Sequence, residues 1–324
     1  MTILNEIGLD PGIDHLSAMK LINEIKSKGG VITSFTSWCG GLPAPECSDN
    51  PFGYKFSWSP QGVLKAARNS AKYLKDGKEV KIDGSELLST VKRLNFFPGF
   101  SFEGIANRDS LKYIAQYGLD QSIQTMFRGT IRYQGFCSLL ESCIQIGLLS
   151  DKPTNDVGTW ESLLTDLLGN QQPLSLESRV AQKLNTNQSD EKVTRLVQAI
   201  KWLGIDGSEK LTKKTVFDNF SYILQKKLAY EKNERDLVFL RHEFGALSKD
   251  GIVETHTSTL VCYGDEKSSA MAKTVGLPAA IATEMILDRQ VSQYGVIAPL
   301  REQFYSPILK KLEAEGLTIK EKVQ

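Results

Sequence analysis

No Gly-x-Gly occurs anywhere in the 324 residues. The glycine-rich turn that opens a nucleotide-binding sheet and cradles a pyrophosphate is therefore absent from this sequence. Nor is there a Cys-x-x-Cys. The five cysteines, Cys39, Cys47, Cys137, Cys143 and Cys262, are odd in number and scattered, and none of the three histidines stands at ligand spacing from them. That excludes a structural zinc centre and a disulfide framework, and predicts free thiols in a reducing compartment. Apolar runs fall short of the ~18 residues a membrane helix needs, and no basic flank leads into an apolar stretch at the N-terminus. Lys plus Arg (39) offsets Asp plus Glu (38), with no basic stripe, so nucleic acid is not an expected partner. With no address of its own, the chain is expected in the cytoplasm, or in the mitochondrial matrix if a transit segment precedes Met1.

What is present begins at the first residues. A strand-like run, Thr2 to Ile7, turns at once into Gly8-Leu9-Asp10-Pro11-Gly12-Ile13-Asp14-His15. In an open α/β sheet the ligand crevice lies beyond the carboxyl ends of the strands. A carboxylate in a Pro-Gly turn just after a strand, here Asp10, faces that crevice. Residues 1–14 read as the last strand of a dinucleotide-binding domain whose earlier part is missing. Asp14 directly precedes an apolar helical periodicity and is the expected N-cap of the next helix.

A chain of this length exceeds what one core usually serves. The pattern predicts an α/β mixed-sheet domain over residues 15–134 and 234–275, interrupted by an all-helical insert over 135–233 and followed by C-terminal helices over 276–324. Helix-to-strand alternation supports the first part. Helical spacing at Trp160, Leu163, Leu164, Leu167 and Leu168, and again at Val193, Leu196, Ile200 and Leu203, supports the insert. Polar breaks fall at Asp151 to Asn155, Gly169 to Pro173 and Asn185 to Ser189. Short helices are expected over Gly62 to Tyr73 and Glu86 to Lys92. Asp236 to Glu243 and Ile252 to Tyr263 form a hairpin across Lys249-Asp250-Gly251. Two helices are expected at Ser269 to Val275 and Pro278 to Leu287, and one over Pro299 to Gly316. Lys310, Lys311 and Lys320 to Lys322 read as solvated charge. Phe52, Tyr54, Phe56 and Trp58 alternate at period two and are expected to fill the space between loop and sheet.

Four islands carry chemistry: Gly8 to His15; Cys39-Gly40-Gly41-Leu42-Pro43-Ala44-Pro45-Glu46 running into Asn50 to Pro60; Asn107-Arg108-Asp109-Ser110; and Arg128-Gly129-Thr130-Ile131-Arg132-Tyr133. Together with Ala270-Met271-Ala272-Lys273-Thr274-Val275-Gly276-Leu277-Pro278, they resemble saccharopine dehydrogenase of the glutamate-forming type, also called saccharopine reductase. The resemblance covers nearly the whole chain. The segment around Trp160 looks most like the dehydrogenase module of bifunctional alpha-aminoadipic semialdehyde synthase.

The resemblance implies a nicotinamide enzyme, with NAD or NADP as cofactor. It implies a homodimer, and small-molecule partners: saccharopine, glutamate and 2-aminoadipate 6-semialdehyde. It makes Arg108 the substrate-binding arginine, a role suited to a permanently charged, bidentate guanidinium; the alternative is a structural pair with Asp109. Asp10 would orient the substrate's secondary amine or take its proton, or else form a turn cap. Leu9 and Pro11 would pack along the nicotinamide. Gly129, Thr130 and Ile131 would offer backbone contacts to substrate, with glycine allowing close approach, or Gly129 would simply mark a strand irregularity. Arg128 and Arg132 share the parity of Thr130 and so leave one strand face, toward a carboxylate or toward solvent. Cys39 would line the site or serve as a small buried hydrophobe. His15, His242 and His256 read as structural.

Overall fold

The computed structural model describes residues 1–154, 158–169, 174–291 and 293–324. Its strands are β1 (Thr2–Leu4), β2 (Val31–Pro43), β3 (Ala71–Lys75), β4 (Lys78–Ile82), β5 (Lys92–Leu94), β6 (Phe102–Ala106), β7 (Thr125–Tyr133), β8 (Asp236–Leu247), β9 (Val253–Tyr263), β10 (Gly295–Ile297) and β11 (Ile319–Val323). Its helices are α1 (Ile13–Ser27), α2 (Pro60–Ala66), α3 (Lys112–Gln116), α4 (Phe136–Gln145), α5 (Trp160–Leu168), α6 (Leu176–Lys183), α7 (Glu191–Leu203), α8 (Val216–Lys227), α9 (Ala270–Leu287) and α10 (Glu302–Ala314).

Nine strands form one mixed sheet in the order β11-β9-β8-β2-β7-β3-β4, with β5 and β6 continuing from β7. β2 and β7 run parallel at its centre, Trp38 opposite Gly129 and Cys39 opposite Thr130, while β6 runs antiparallel to β7 with Ala106 opposite Gly129. One sheet face packs on α1, α9 and α10 through Leu16, Ile22, Phe35, Leu240, Phe244 and Ile308. The other packs on the helices that follow β7, through Leu42, Phe102, Ile131, Phe136 and Leu196. The aromatic loop joins that second core through Phe52 and Tyr54, whereas Trp58 is 46% exposed, so the period-two pattern does not bury its last member.

The helical stretch between β7 and β8 comprises α4 to α8. The polar breaks predicted at 151–155 and 169–173 fall partly or mostly outside the described residues. Two buried strand carboxylates set the starts of helices. Glu103 accepts the Gly135 and Cys137 N–H groups (2.8 and 2.7 Å) ahead of α4, and Asp236 accepts those of Ala270 and Met271 (2.5 and 2.8 Å) at α9. Each satisfies helix-end donors that would otherwise be stranded in the core.

Several expectations are corrected. The opening strand ends at Leu4. The helix at residue 62 stops at Ala66, and Ala71–Lys75 is a strand. Residues 86–92 hold a single 3-10 turn leading into β5. The region 270–287 is one helix with Pro278 inside it. The Lys320 to Lys322 segment is an edge strand antiparallel to β9. α9 has the length and mean hydropathy (1.3) of a short membrane span. It nevertheless carries Lys273 and Glu284, paired with Asp265 and Lys311, and packs on β8 and α10.

Candidate active site

The Gly8–Gly12 turn folds on itself. Gly8 N–H donates to the Pro11 carbonyl (3.0 Å), Ile13 N–H to the Gly8 carbonyl (2.8 Å) and Asp14 N–H to the Leu9 carbonyl (3.1 Å). The Asp10–Pro11 peptide is cis. Gly12 precedes α1 at φ 153°, and a Cβ there would stand 1.9 Å from the Gly8 carbonyl oxygen. Only glycine closes this turn.

That closure corrects the capping assignment. Gly12 occupies the N-cap, while Asp14 lies inside the first turn of α1, wholly buried, with its Oδ1 accepting the Gly12 N–H at 2.5 Å. Its Oδ2 meets Nη2 of Arg128 at 2.5 Å, and the same Nη2 meets Oδ1 of Asp10. Arg128, expected to face a carboxylate or solvent, therefore holds two carboxylates from the N-terminal turn, 118 and 114 residues earlier. It is itself buried, with the Tyr113 ring 4.1 Å away.

The two aspartates separate electrostatically. Burial, reinforced by the neighbouring Asp14 charge, pushes Asp10 up to about 6 against the pull of Arg128 and His15. Burial acts the same way on Asp14. There Arg128, His15 and the Gly12 N–H outweigh it and hold the group below the usual carboxylate range. Asp14 is thus the fixed anion and Asp10 the one able to exchange a proton near neutral pH. Asp10 is also the more open, its side chain 17% exposed against 1% for Asp14.

The folded Asp10 keeps its proton to a higher pH than the unfolded one. Its contribution to stability is present below about pH 4 and is lost as the pH rises through about 6. The stability of Asp10→Asn relative to the parent is expected to increase across that interval and then level off. A difference that stays flat with pH in urea titrations would contradict the assignment.

The remaining sites divide. Arg108 is exposed, follows β6 in a left-handed conformation (φ 48°), and makes no side-chain hydrogen bond or ion pair with any described residue. Asp109, its proposed structural partner, turns instead to Lys72 (3.6 Å) and to the Leu111 N–H (2.8 Å). The Asn107 N–H bonds the Arg128 carbonyl at 2.8 Å, so the main chain entering Arg108 runs next to that of Arg128. Cys39 is buried on the strand next to Thr130, and desolvation with the two nearby aspartates drives its thiol well above the normal value. A buried thiol held neutral in this way is a poor nucleophile.

Gly129 has a packing reason to be glycine that the sequence did not show. A Cβ there would lie 2.3 Å from the Trp38 ring, and one at Gly104 on β6 would lie equally close. The indole occupies the space of both missing side chains. Gly129→Ala is accordingly expected to lose on the order of 1–3 kcal/mol by overpacking. Trp38→Leu should recover part of that loss in denaturant unfolding. Ile131 is wholly buried and Thr130 half-buried. Leu9 is buried in the α1-side core, and Pro11 is exposed.

The histidines serve structure. His15 joins Tyr117 Oη (2.8 Å) to Glu6 (2.9 Å), and His242 Nε2 sits 3.1 Å from the Asp14 carbonyl, its own pKa lowered to about 4 by burial. His256 pairs with Glu254. Sequence reasoning missed the Asp14–Arg128 contact. Its only trace was the parity of Arg128 with Thr130.

Comparison with known proteins gives the family. Residues 8–317 match the family model described as "Saccharopine dehydrogenase C-terminal domain". The saccharopine dehydrogenase [NADP(+), L-glutamate-forming] of Pyricularia oryzae is 42% identical over all of this chain and 74% of its own length. The mitochondrial alpha-aminoadipic semialdehyde synthase of Bos taurus is 41% identical over 98% of the chain and 35% of its own length, so identity favours neither type of relative. The apo, histidine-tagged saccharopine dehydrogenase (L-Glu forming) from Saccharomyces cerevisiae superposes with a TM-score of 0.90 at 42% identity, over all of this chain and 74% of that one. The chain belongs to the saccharopine dehydrogenase family of oxidoreductases.

Proposed function

We propose that this chain is the substrate-binding, C-terminal portion of an NAD(P)-dependent saccharopine dehydrogenase of lysine metabolism, interconverting saccharopine with glutamate and 2-aminoadipate 6-semialdehyde. The observation that supports this best is a carboxyl at about 6, Asp10, held on Arg128 at the mouth of a turn with the unpaired Arg108 alongside. Arg108 takes a substrate carboxylate. Asp10 orients the secondary amine and takes or returns its proton, a role suited to a group titrating near the working pH. Asp14, kept ionised, fixes Arg128 and hence the position of Asp10. Thr130 and Cys39 line the strand face between.

A nicotinamide, when bound, supplies hydride transfer. The residues present fit only one edge of such a cofactor. Pro11 is exposed beside Asp10, Leu9 is buried, and no glycine-rich turn is available for the pyrophosphate. The names of the fungal relatives specify NADP(+). The choice between NAD and NADP rests on a residue beyond the first βα unit.

A second reading is a binding and dimerisation module without redox activity of its own. Exposed Val253, Val261 and Tyr263 on β9 suit a homodimer pairing across the sheet. Titration of the purified chain with saccharopine and with NADPH decides between the two. Binding of both, with reduced-nicotinamide absorbance appearing on turnover, supports the enzyme. Binding of saccharopine alone supports the module. Binding of neither overturns both.

A further inference from the structure

Arg132 is a buried cation with no contact anion. It leaves β7 on the face of Arg128 and Thr130 and is 6% exposed. Arg128 meets two carboxylates, whereas no Asp or Glu among the described residues pairs with Arg132. Its Nη1 gives one bond to the Ile131 carbonyl (2.7 Å), and its Nε finds no partner. The guanidinium lies over the rings of Tyr54 (5.0 Å) and Phe136 (5.4 Å). Glu103, which the strand register sets opposite, is committed to the Gly135 and Cys137 N–H groups.

A lone charge inside a protein is costly, and aromatic faces return only part of that cost. Two buried hydroxyls of the covering loop, Tyr54 Oη and Ser57 Oγ, also lack partners. Ser57 Oγ stands 3.4 Å from where a Cβ of Gly41 would be, and Gly41 lies two residues beyond Cys39, the register partner of Thr130. Unused donors therefore gather at the carboxyl ends of β2 and β7, past Thr130 and Cys39, where the Arg132 guanidinium reaches the rings of the second core. Arg128 and Arg132 are four residues apart, about 13 Å along the strand. An extended lysine-type arm measures roughly 8 Å from nitrogen to carboxylate, and a hydrogen bond of about 2.8 Å at each end brings a substrate with its reacting nitrogen at Asp10 close to that interval.

We infer that Arg132 receives a terminal carboxylate of the substrate and is the residue that selects for one, with Tyr54 and Ser57 completing the subsite. The inference rests on the proposed saccharopine activity, so its test separates the two. Saccharopine and the simple dicarboxylate glutarate are titrated into the full chain by calorimetry, and the arginine Nε–H resonance of Arg132 is followed by NMR and assigned with Arg132→Lys.

Arg132→Gln is expected to weaken saccharopine at least ~30-fold, and Arg132→Lys, a point charge, to recover part of that. Equal saccharopine affinity in parent and Arg132→Gln overturns the inference and leaves the activity standing. If saccharopine does not bind while glutarate moves the Arg132 resonance, the activity falls and the anion site stands. If saccharopine binds and neither ligand moves the resonance, the inference alone falls; if neither ligand binds, both fall. Should Arg132→Gln fail to fold, the resonance of the parent protein still decides.

Discussion

Arg128→Met is expected to cost about 3–5 kcal/mol of folding stability, among the largest effects of any single substitution in this chain. Asp14 is wholly buried and Asp10 half-buried, and both bind the same nitrogen of Arg128. With the cation gone, two carboxylates face each other in a space that burial already makes hostile to charge. Among the described residues Asp14 then keeps only the Gly12 N–H as a direct donor, and its pKa must climb. Arg128→Met should therefore be most unstable at alkaline pH and partly rescued by acid. Adding Asp14→Asn should recover much of the loss, because removing the second charge removes the uncompensated one. Urea unfolding followed by tryptophan fluorescence measures all three proteins. A loss below about 1 kcal/mol for Arg128→Met would show that the cluster does not depend on this cation.

What could be read in the sequence follows from the range of the physics. The central strands β2 and β7 and the β8–β9 hairpin were legible because alternation is a local signal and both faces of the sheet are covered. The helices between Phe136 and Lys227 were legible for the same reason at a period of 3.6. β11 was not. Ile319-Lys320-Glu321-Lys322-Val323 looks like a charged tail because charge is how an exposed edge strand avoids pairing with other chains.

α9 was split at Pro278 because proline usually opens a helix. Here the loss of one backbone bond is outweighed by a buried side containing Thr274, Pro278, Ile281 and Met285. At the site, Asp10 and Arg108 were visible as residue types in suggestive turns. The pairing of Asp14 with Arg128 joins positions 114 residues apart, and no local pattern encodes which face of β7 meets which turn. The packing reason for glycine at 129 was hidden, since the ring that fills its space comes from Trp38 on a strand nearly a hundred residues earlier.

Arg108→Ala is expected to reduce saccharopine affinity by a factor of roughly 30 to several thousand, the range for losing a charge-assisted pair to a carboxylate, while leaving stability within about 0.5 kcal/mol. The second half follows from its surroundings. The side chain is exposed and engages no described residue, so truncation strands no partner. What the fold uses at this position is the backbone, through the Arg108 carbonyl that accepts from Lys72 N–H at 2.8 Å and the Asn107 N–H that bonds the Arg128 carbonyl. Alanine preserves both, at the modest cost of a left-handed φ that arginine already bears. The first half follows from the same freedom. A guanidinium with no internal partner, placed by that backbone bond next to the residue that holds Asp10, is available to a ligand without breaking an existing contact. Arg108→Lys should restore charge but not the planar fork, giving intermediate affinity. Calorimetric titration and thermal unfolding of the same preparations test both halves together. Unchanged saccharopine affinity in Arg108→Ala would remove Arg108 from the site, whereas a large fall in stability would mean that the side chain serves the fold.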